Sequence, residues 1–246
     1  MKNNLLLSAA LCLLSLLTAS SARAQFTILS QTRTLSYNAT YGLISSPSQS
    51  DQNTAAGAYD NTLSIDLDPY LNGAASQNSV VSSSSLSGSG GAYATCNADA
   101  FAGNLVVNAQ STYMVEFTVA LPTAVTYGDQ YTLIGGYVYA GVVTESDYTT
   151  SLTSSGSTSP IFEFPDYSPP GSDSFNGILD PGQTYTIQST ATAEVDLDLP
   201  TNSSSAEATF QFSLTPVPEP ASEGILLFST GLLLRRLPRR ATSTLI

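Results

Sequence analysis

Residues 184–214 read TYTIQSTATAEVDLDLPTNSSSAEATFQFSL, and apolar and polar residues alternate along most of this stretch. A period of two places successive side chains on opposite faces of a β-strand. The stretch predicts three half-buried strands, whose inward residues are Tyr185 and Ile187, then Val195, Leu197 and Leu199, then Ala208, Phe210, Phe212 and Leu214. Asp180-Pro181-Gly182 and Pro200-Thr201-Asn202 are typical turn sequences at the borders of these strands. This part of the chain therefore favours antiparallel β-structure.

The same alternation recurs between residues 32 and 215, and no segment there shows a helical period of 3.6 residues. Arg33–Tyr41, Asn61–Asp68 and Tyr113–Val119 each place apolar residues on one face, and Gly135-Gly136 is expected to bend a long aromatic segment. Seven to ten short strands without intervening helices predict an all-β fold, an antiparallel β-sandwich of jelly-roll type. An open barrel and a solenoid are the alternatives.

Two segments are predicted to be irregular surface loops. Ser occupies half of the positions from Ser76 onward within Ala75–Gly91, and Ser151–Ser174 contains four prolines. The serine-rich segment could also form a polar edge strand, because Val80, Leu86 and Tyr93 interrupt it.

The chain has 246 residues and a net charge of −12, with 19 acidic residues, seven basic residues and no histidine. Without histidine, the Ser-His-Asp and Cys-His nucleophile pairs and imidazole metal ligands are excluded. Residues 25–216 hold 17 acidic residues against Arg33 alone, a net charge of −16. Such a body repels polyanions, so no nucleic-acid partner is expected. No cofactor motif is present, and no cofactor is predicted.

Carboxylates are the remaining candidates for catalysis or metal binding. Asp66 and Asp68, and likewise Glu194, Asp196 and Asp198, alternate along predicted strands. This spacing is typical of a solvated charge row or of one that protects a sheet edge. A two-carboxylate glycosidase and a calcium site are the alternatives. The chain is therefore predicted not to be an enzyme, with no catalytic, cofactor-binding or metal-binding residues.

Residues 1–24 have the pattern of a secretory signal peptide. Lys2 precedes the apolar run Leu5–Leu17, and small residues at Ala22 and Ala24 suit signal peptidase, which is expected to cleave between Ala24 and Gln25. A lipoprotein at Cys12 is the weaker alternative, since no lipidation motif precedes it.

Cleavage at that point leaves Cys96 as the only cysteine, so the fold forms without an internal disulfide. Cys96 is predicted to be a small buried residue, with an intermolecular bridge or a reactive thiol as the alternatives.

Residues 217–240 combine three elements in a fixed order. Val217–Ser222 contains Pro-Glu-Pro, Gly224–Leu234 is apolar, and arginines follow at positions Arg235, Arg236, Arg239 and Arg240. Arginines after an apolar helix stay on the cytoplasmic side of a membrane. The apolar helix would span roughly 16 Å, about half of a hydrocarbon core of about 30 Å, which favours temporary anchoring. A plain C-terminal anchor is the alternative.

This tail resembles the PEP-CTERM sorting signal of Gram-negative and related bacteria. The resemblance implies that an exosortase, an integral-membrane cysteine protease, recognises Pro218, Glu219 and Pro220 and processes the tail. It also implies transient anchoring in the inner membrane, followed by release or attachment at the cell surface.

The sequence thus predicts a signal peptide at 1–24, a β-sandwich ectodomain at 25–216 and a sorting tail at 217–240, with a helix at each end of the chain. The favoured function is a non-catalytic cell-surface or biofilm-matrix protein, exported and associated with exopolysaccharide. The alternative is a carbohydrate-binding module or glycosidase on the same scaffold, with Tyr137, Tyr139 and Tyr148 as example stacking residues.

Overall fold

A computed structural model of the protein describes residues 25–41, 47–67, 70–97, 105–135, 137–139, 142–166, 171–197 and 203–217. In this part of the chain the regular structure consists of the following strands: β1 Phe26–Tyr41, β2 Ser48–Asn53, β3 Gly57–Leu67, β4 Leu71–Ser82, β5 Ser85–Asn97, β6 Leu105–Val119, β7 Thr123–Ile134, β8 Tyr137–Tyr139, β9 Val142–Ser154, β10 Phe162–Asp166, β11 Ser174–Leu179, β12 Thr184–Leu197 and β13 Ser203–Pro216.

The strands form two antiparallel sheets that share one core. The seven-stranded sheet has the order β10-β9-β12-β6-β1-β2, with β8 paired to β9, and the six-stranded sheet has the order β11-β7-β13-β5-β4-β3. The predicted all-β class and the two-sheet, sandwich-like arrangement are confirmed. The predicted signal helix and C-terminal apolar helix fall outside the described residues. Among the residues that are described, none belongs to a helix long and apolar enough to span a membrane.

Period-two burial explains why the sheets pack face to face. In β6 every second residue from Leu105 to Val119 is buried, and the residues between them are half-exposed. β1 and β12 pair with the two edges of β6 along almost its whole length, so the three strands present one continuous apolar face. This face packs against the inner face of the six-stranded sheet.

The loop predicted at Ala75–Gly91 is wrong, because these residues lie in β4 and β5, which are joined by a tight turn at Ser83-Ser84. The edge-strand alternative is also wrong, since β4 lies between β3 and β5, and β5 lies between β4 and β13. Small inward residues explain the error. Ala75, Ser79 and Gly88 are buried, but they carry too little apolar surface to stand out in the sequence.

Two other strand predictions need correction. Within Ser151–Ser174, predicted to be irregular, β9 continues to Ser154 and β10 occupies Phe162–Asp166. The two strands predicted within residues 184–199 form one strand, β12, because Ser189, Ala191 and Ala193 continue the buried face between them.

The interior has two ends of different composition. The aromatic end contains Phe26, Tyr113, Phe117, Tyr127, Tyr131, Tyr148, Phe162, Tyr185, Phe210 and Phe212 together with aliphatic residues. The aliphatic end contains Leu35, Ala39, Tyr59, Leu63, Ile65, Leu71, Ala75, Ala92, Ala94, Cys96, Leu105, Val107, Ala109, Val142, Ala193, Val195, Leu197 and Ala206. Cys96 is fully buried, as predicted.

A belt of buried polar side chains lies between the two ends, at Gln31, Arg33, Gln77, Ser79 and Ser111. Arg33 donates hydrogen bonds to the Gly57 carbonyl (2.9 Å), to Asn53 Oδ1 (3.2 Å) and to the Ala55 carbonyl. Its guanidinium carbon lies 5.3 Å from the centre of the Tyr59 ring. Arg33 therefore fixes the connection between β2 and β3, where the chain crosses from one sheet to the other.

Candidate functional site

An open groove of about 840 Å³ lies on the six-stranded sheet. Its main lining is a row of outward-facing side chains, one from each of the strands β3, β4, β5, β13 and β7. This first row consists of Asp60, Asn78, Ser89, Gln211 and Gln130. Each member is directly opposite the next in the strand register, so the row crosses the sheet at right angles to the strands.

A second row runs beside the first, and it consists of Thr62, Ser76, Gly91, Thr209 and Thr132. Gly91 leaves the middle of this row without a side chain. A Cβ atom at that position would lie only 2.8 Å from the Ala208 carbonyl oxygen and 2.9 Å from Thr209 Cγ2. A side chain at position 91 would therefore collide with β13, which explains the glycine there.

The polar side chains of the first row are not paired with one another. Within the described part of the chain, none of these five side chains has a hydrogen-bond partner. Four of them are exposed, and Ser89 is half-exposed. Their amide, hydroxyl and carboxylate groups are thus available to a molecule that enters the groove.

A smaller hollow of about 390 Å³ lies on the same sheet between β5, β7 and β13, next to Thr95, Gly135 and Ser205. Tyr93 stands on β5 between the groove and this hollow, with 37% of its side chain exposed. Sequence reasoning did not select Tyr93 as a contact residue, although it is the aromatic side chain that this part of the face offers to solvent.

Of the three example stacking residues, the structure rules out Tyr148. Tyr148 is fully buried in the aromatic end of the core, so its ring cannot meet a ligand. Tyr137 and Tyr139 lie in β8, but their side chains are outside the described set.

The predicted charge rows lie on the outer faces of the two sheets, but only β3 is an edge strand, since β12 lies between β9 and β6. Asp66 is exposed on β3, and Glu194 and Asp196 are half-exposed on the outer face of β12. Glu194 accepts a hydrogen bond of 2.7 Å from the Asn108 amide. Asp68 and Asp198 fall outside the described residues. Among those that are described, no three acidic or cysteine side chains come close enough to hold a metal ion.

Asp129 is a buried carboxylate that sequence reasoning missed. It accepts hydrogen bonds from the Tyr127 hydroxyl (2.8 Å), the Tyr148 hydroxyl (3.2 Å) and the Asp173 backbone N–H (2.7 Å). Burial raises the pKa of Tyr127 and Tyr148, so both hydroxyls remain protonated donors. Because Asp129 is only 5% exposed, the network positions the chain before β11 and does not receive a substrate.

The predicted cleavage and sorting residues fall almost entirely outside the described residues. They are Ala24, Pro218, Glu219, Pro220, Arg235, Arg236, Arg239 and Arg240. Gln25 is described and exposed. Val217 is the last described residue, and its backbone N–H donates to the Ala124 carbonyl at 2.8 Å.

No protein-family model matches the chain, and no curated protein sequence matches it. Among solved structures, the GH31 α-xylosidase of Xanthomonas citri is similar at 10% identity and a TM-score of 0.21, over 85% of this chain and 29% of the xylosidase. The infectious bursal disease virus Gt strain is similar at 10% identity and a TM-score of 0.16, over 87% of this chain and 73% of the viral one. T=1 particles derived from infectious bursal virus give 10% identity and a TM-score of 0.18, over 87% and 71%.

The chain thus spans less than a third of the xylosidase it matches. At TM-scores this low, these likenesses say nothing about the function of the protein.

Proposed function

We propose that this protein is an exported, non-catalytic cell-surface or matrix protein that contacts extracellular polysaccharide through the groove of its six-stranded sheet. The observation that carries the proposal is the first row, whose five polar side chains have no partner within the described residues. Sugars carry many hydroxyl groups that both donate and accept hydrogen bonds. Amide and hydroxyl side chains match this pattern, because they also do both.

Binding explains the groove better than hydrolysis does. A glycosidase needs two carboxyl groups on either side of the scissile bond. Asp60 is the only carboxylate among the described residues that line the groove. The second candidate function is a dedicated carbohydrate-binding module, which is favoured by the exposed ring of Tyr93 on the same face.

The ends of the chain supply the route to the surface in this proposal. Signal peptidase removes residues 1–24, and an exosortase recognises Pro218, Glu219 and Pro220 after the apolar segment has anchored the chain in the inner membrane. The arginines at 235–240 hold the end of that segment on the cytoplasmic side. The jelly-roll type of the sandwich and the two terminal helices remain predictions from the sequence.

Sorting is tested by the intact mass and the terminal peptides of the protein recovered from the surface fraction of its host. We expect a chain that begins at Gln25 and ends near Pro220, with or without an added group. A chain that still ends at Ile246 in the membrane fraction would show a plain anchor and refute exosortase processing.

Polysaccharide contact is tested by affinity electrophoresis of the same material in gels cast with the host exopolysaccharide. Retarded migration without released sugars is the expected result. Product sugars would identify an enzyme, and unchanged migration would leave the protein without the proposed partner.

A further inference from the structure

Resting on the proposed function, we infer that the groove binds an extended, uncharged polysaccharide whose chain crosses the strands of the six-stranded sheet, with one sugar over each strand. The first row and its register carry this inference.

The spacing of the row fits a sugar chain. Neighbouring strands lie about 4.8 Å apart, so the four intervals from β3 to β7 cover about 19 Å. A pyranose ring in an extended, β-linked chain has nearly the length of one such interval. Successive sugars can therefore stay in step with Asp60, Asn78, Ser89, Gln211 and Gln130. A coiled, α-linked chain would leave the row after two or three units.

The chemistry of the row changes little along its length. Asn78, Gln211 and Gln130 each carry an amide that donates and accepts, and Ser89 carries a hydroxyl that does the same. Each position can therefore meet whichever hydroxyl a repeating polymer presents there. A row of this kind binds a regular polymer along its length, whereas a compact pocket would bind one terminal sugar.

Charge selects against acidic polymers. Asp60 is the only charged residue among the described residues that line the groove, and it is negative. Residues 25–216 carry a net charge of −16, which repels polymers rich in carboxylate or sulfate at low ionic strength.

Tyr93 lies outside the path that the sugar chain takes along the first row. It is four residues from Ser89 along β5, a distance of about 13 Å. It is not among the residues that line the groove, so binding along the first row depends on hydrogen bonds and not on stacking.

The experiment uses calorimetry at low salt and the protein purified from the surface fraction of its host. It measures the binding of cello-oligosaccharides of one to eight units. We expect affinity to rise about three- to tenfold for each added sugar, as one further set of hydrogen bonds forms, and to level off at five units. Malto-oligosaccharides, which are α-linked and coiled, should show no such gain beyond two or three units.

Variants test whether the sugar chain binds along the first row. Gln211→Ala, within the row, should weaken cellopentaose binding about tenfold. Asp60→Ala, at the end of the row, should abolish only the rise in affinity that the fifth sugar adds. Gln188→Ala is the matched control, because Gln188 is an exposed glutamine on the outer face of the seven-stranded sheet. It should leave binding unchanged.

Three results would overturn the inference: an affinity that does not change with length, an equal loss in Gln188→Ala, or tighter binding of alginate oligosaccharides. The gel experiment separates this failure from that of the proposed function. If the host polysaccharide retards the protein but affinity does not change with oligosaccharide length, only the proposed path of the sugar chain along the first row is refuted. The absence of retardation refutes polysaccharide contact itself.

Discussion

The aromatic and aliphatic ends of the interior belong to the same two sheets but are filled by different side chains. Among the described residues, ten of the 21 buried residues of the aromatic end are Phe or Tyr and two are Ala. In the aliphatic end, Tyr59 is the only aromatic residue of 18, and seven are Ala. The space between the same two sheets is therefore packed with aromatic side chains at one end and with small aliphatic side chains at the other.

The difference shows in the contacts across the interior. In the aromatic end, rings stack or meet edge to face across the interior, as Tyr113 and Phe212 do with centroids 4.8 Å apart. In the aliphatic end, a Cβ atom added at Gly73 would lie 2.9 Å from Val107 Cγ1, so the backbone there is already close to the opposite sheet. The two ends therefore fill the interior with side chains of different size.

Truncation in the aromatic end should have the largest effect. Phe212 is 2% exposed and packs against Tyr113, Tyr127 and Phe210. Phe212→Ala is expected to lower the free energy of unfolding by about 3–5 kcal/mol, because a large cavity remains. Urea unfolding followed by tyrosine fluorescence measures this loss. A change below about 1 kcal/mol would contradict the described packing.

The thiol of the aliphatic end should be inert in the native state. Burial raises the pKa of Cys96 to about 12, and its Sγ lies 3.9 Å from the carbonyl oxygens of Leu105 and Val195. Iodoacetamide at pH 8 is expected to modify it at least about a thousandfold more slowly than in the urea-unfolded chain, which is the control. Rapid labelling of the native protein, followed by mass spectrometry, would show that this end opens.

Enlarging a small residue tests the close approach of the sheets. Ala94 is fully buried in the aliphatic end, so Ala94→Leu is expected to destabilise the fold by about 1–3 kcal/mol through overpacking. Ala124→Leu is the matched control, since Ala124 is exposed on β7 and should change stability by less than about 0.5 kcal/mol. Thermal unfolding distinguishes the two. Equal effects would mean that the aliphatic end is not tightly packed.

The smallest expected effects come from two carboxylates with opposite behaviour. Hydrogen bonds from Tyr59 (2.6 Å) and Asn61 (2.7 Å) lower the pKa of Asp51. The pKa of Asp51 is lower in the folded protein than in the unfolded chain, so ionised Asp51 stabilises the fold at pH values above about 3.9, the usual carboxyl pKa. This stabilisation is lost as the pH falls through the pKa of the folded state. Asp51→Asn should therefore destabilise the protein at pH 7 but not at pH 2.

Asp147→Asn should show the reverse sign. Burial, and then the nearby Glu145, raise the pKa of Asp147, so its ionised form is disfavoured in the folded state. Stability falls as the pH rises from the unfolded to the folded pKa, and Asp147→Asn should stabilise the protein at pH 7 and leave it unchanged at pH 2. Chemical unfolding at both pH values measures the pair, and effects of equal sign would refute the assignment.

The contrast between the two ends also explains which strands could be predicted. Tyr113, Val115 and Phe117 mark β6 plainly, because large apolar residues alternate with polar ones. In β4 and β5 the inward positions include Ala75, Ser79 and Gly88, and the sequence pattern there predicts a loop. Small residues bury little area each, so their alternation becomes visible only once the opposite sheet covers them.

The candidate site was even less accessible to sequence reasoning. Asn78, Ser89, Gln130 and Gln211 are separated by up to 133 positions, and none belongs to a recognisable motif. Their common row depends on β5 pairing with β4 and β13, and on β13 pairing with β7. Such long-range pairings are not encoded by local periodicity.

The sequence alone determined that the described body is built of strands, because side-chain alternation is a local property that a strand converts directly into two faces. It also determined the acidic charge, and Cys96, the one cysteine among the described residues, carries a free thiol. Only the tertiary structure decided which strands are neighbours, that Arg33 is buried in a polar belt, and that five distant polar residues share one groove. The physical reason is that strand order and burial result from contacts between residues far apart in the chain. A local sequence pattern does not specify which distant residues come into contact.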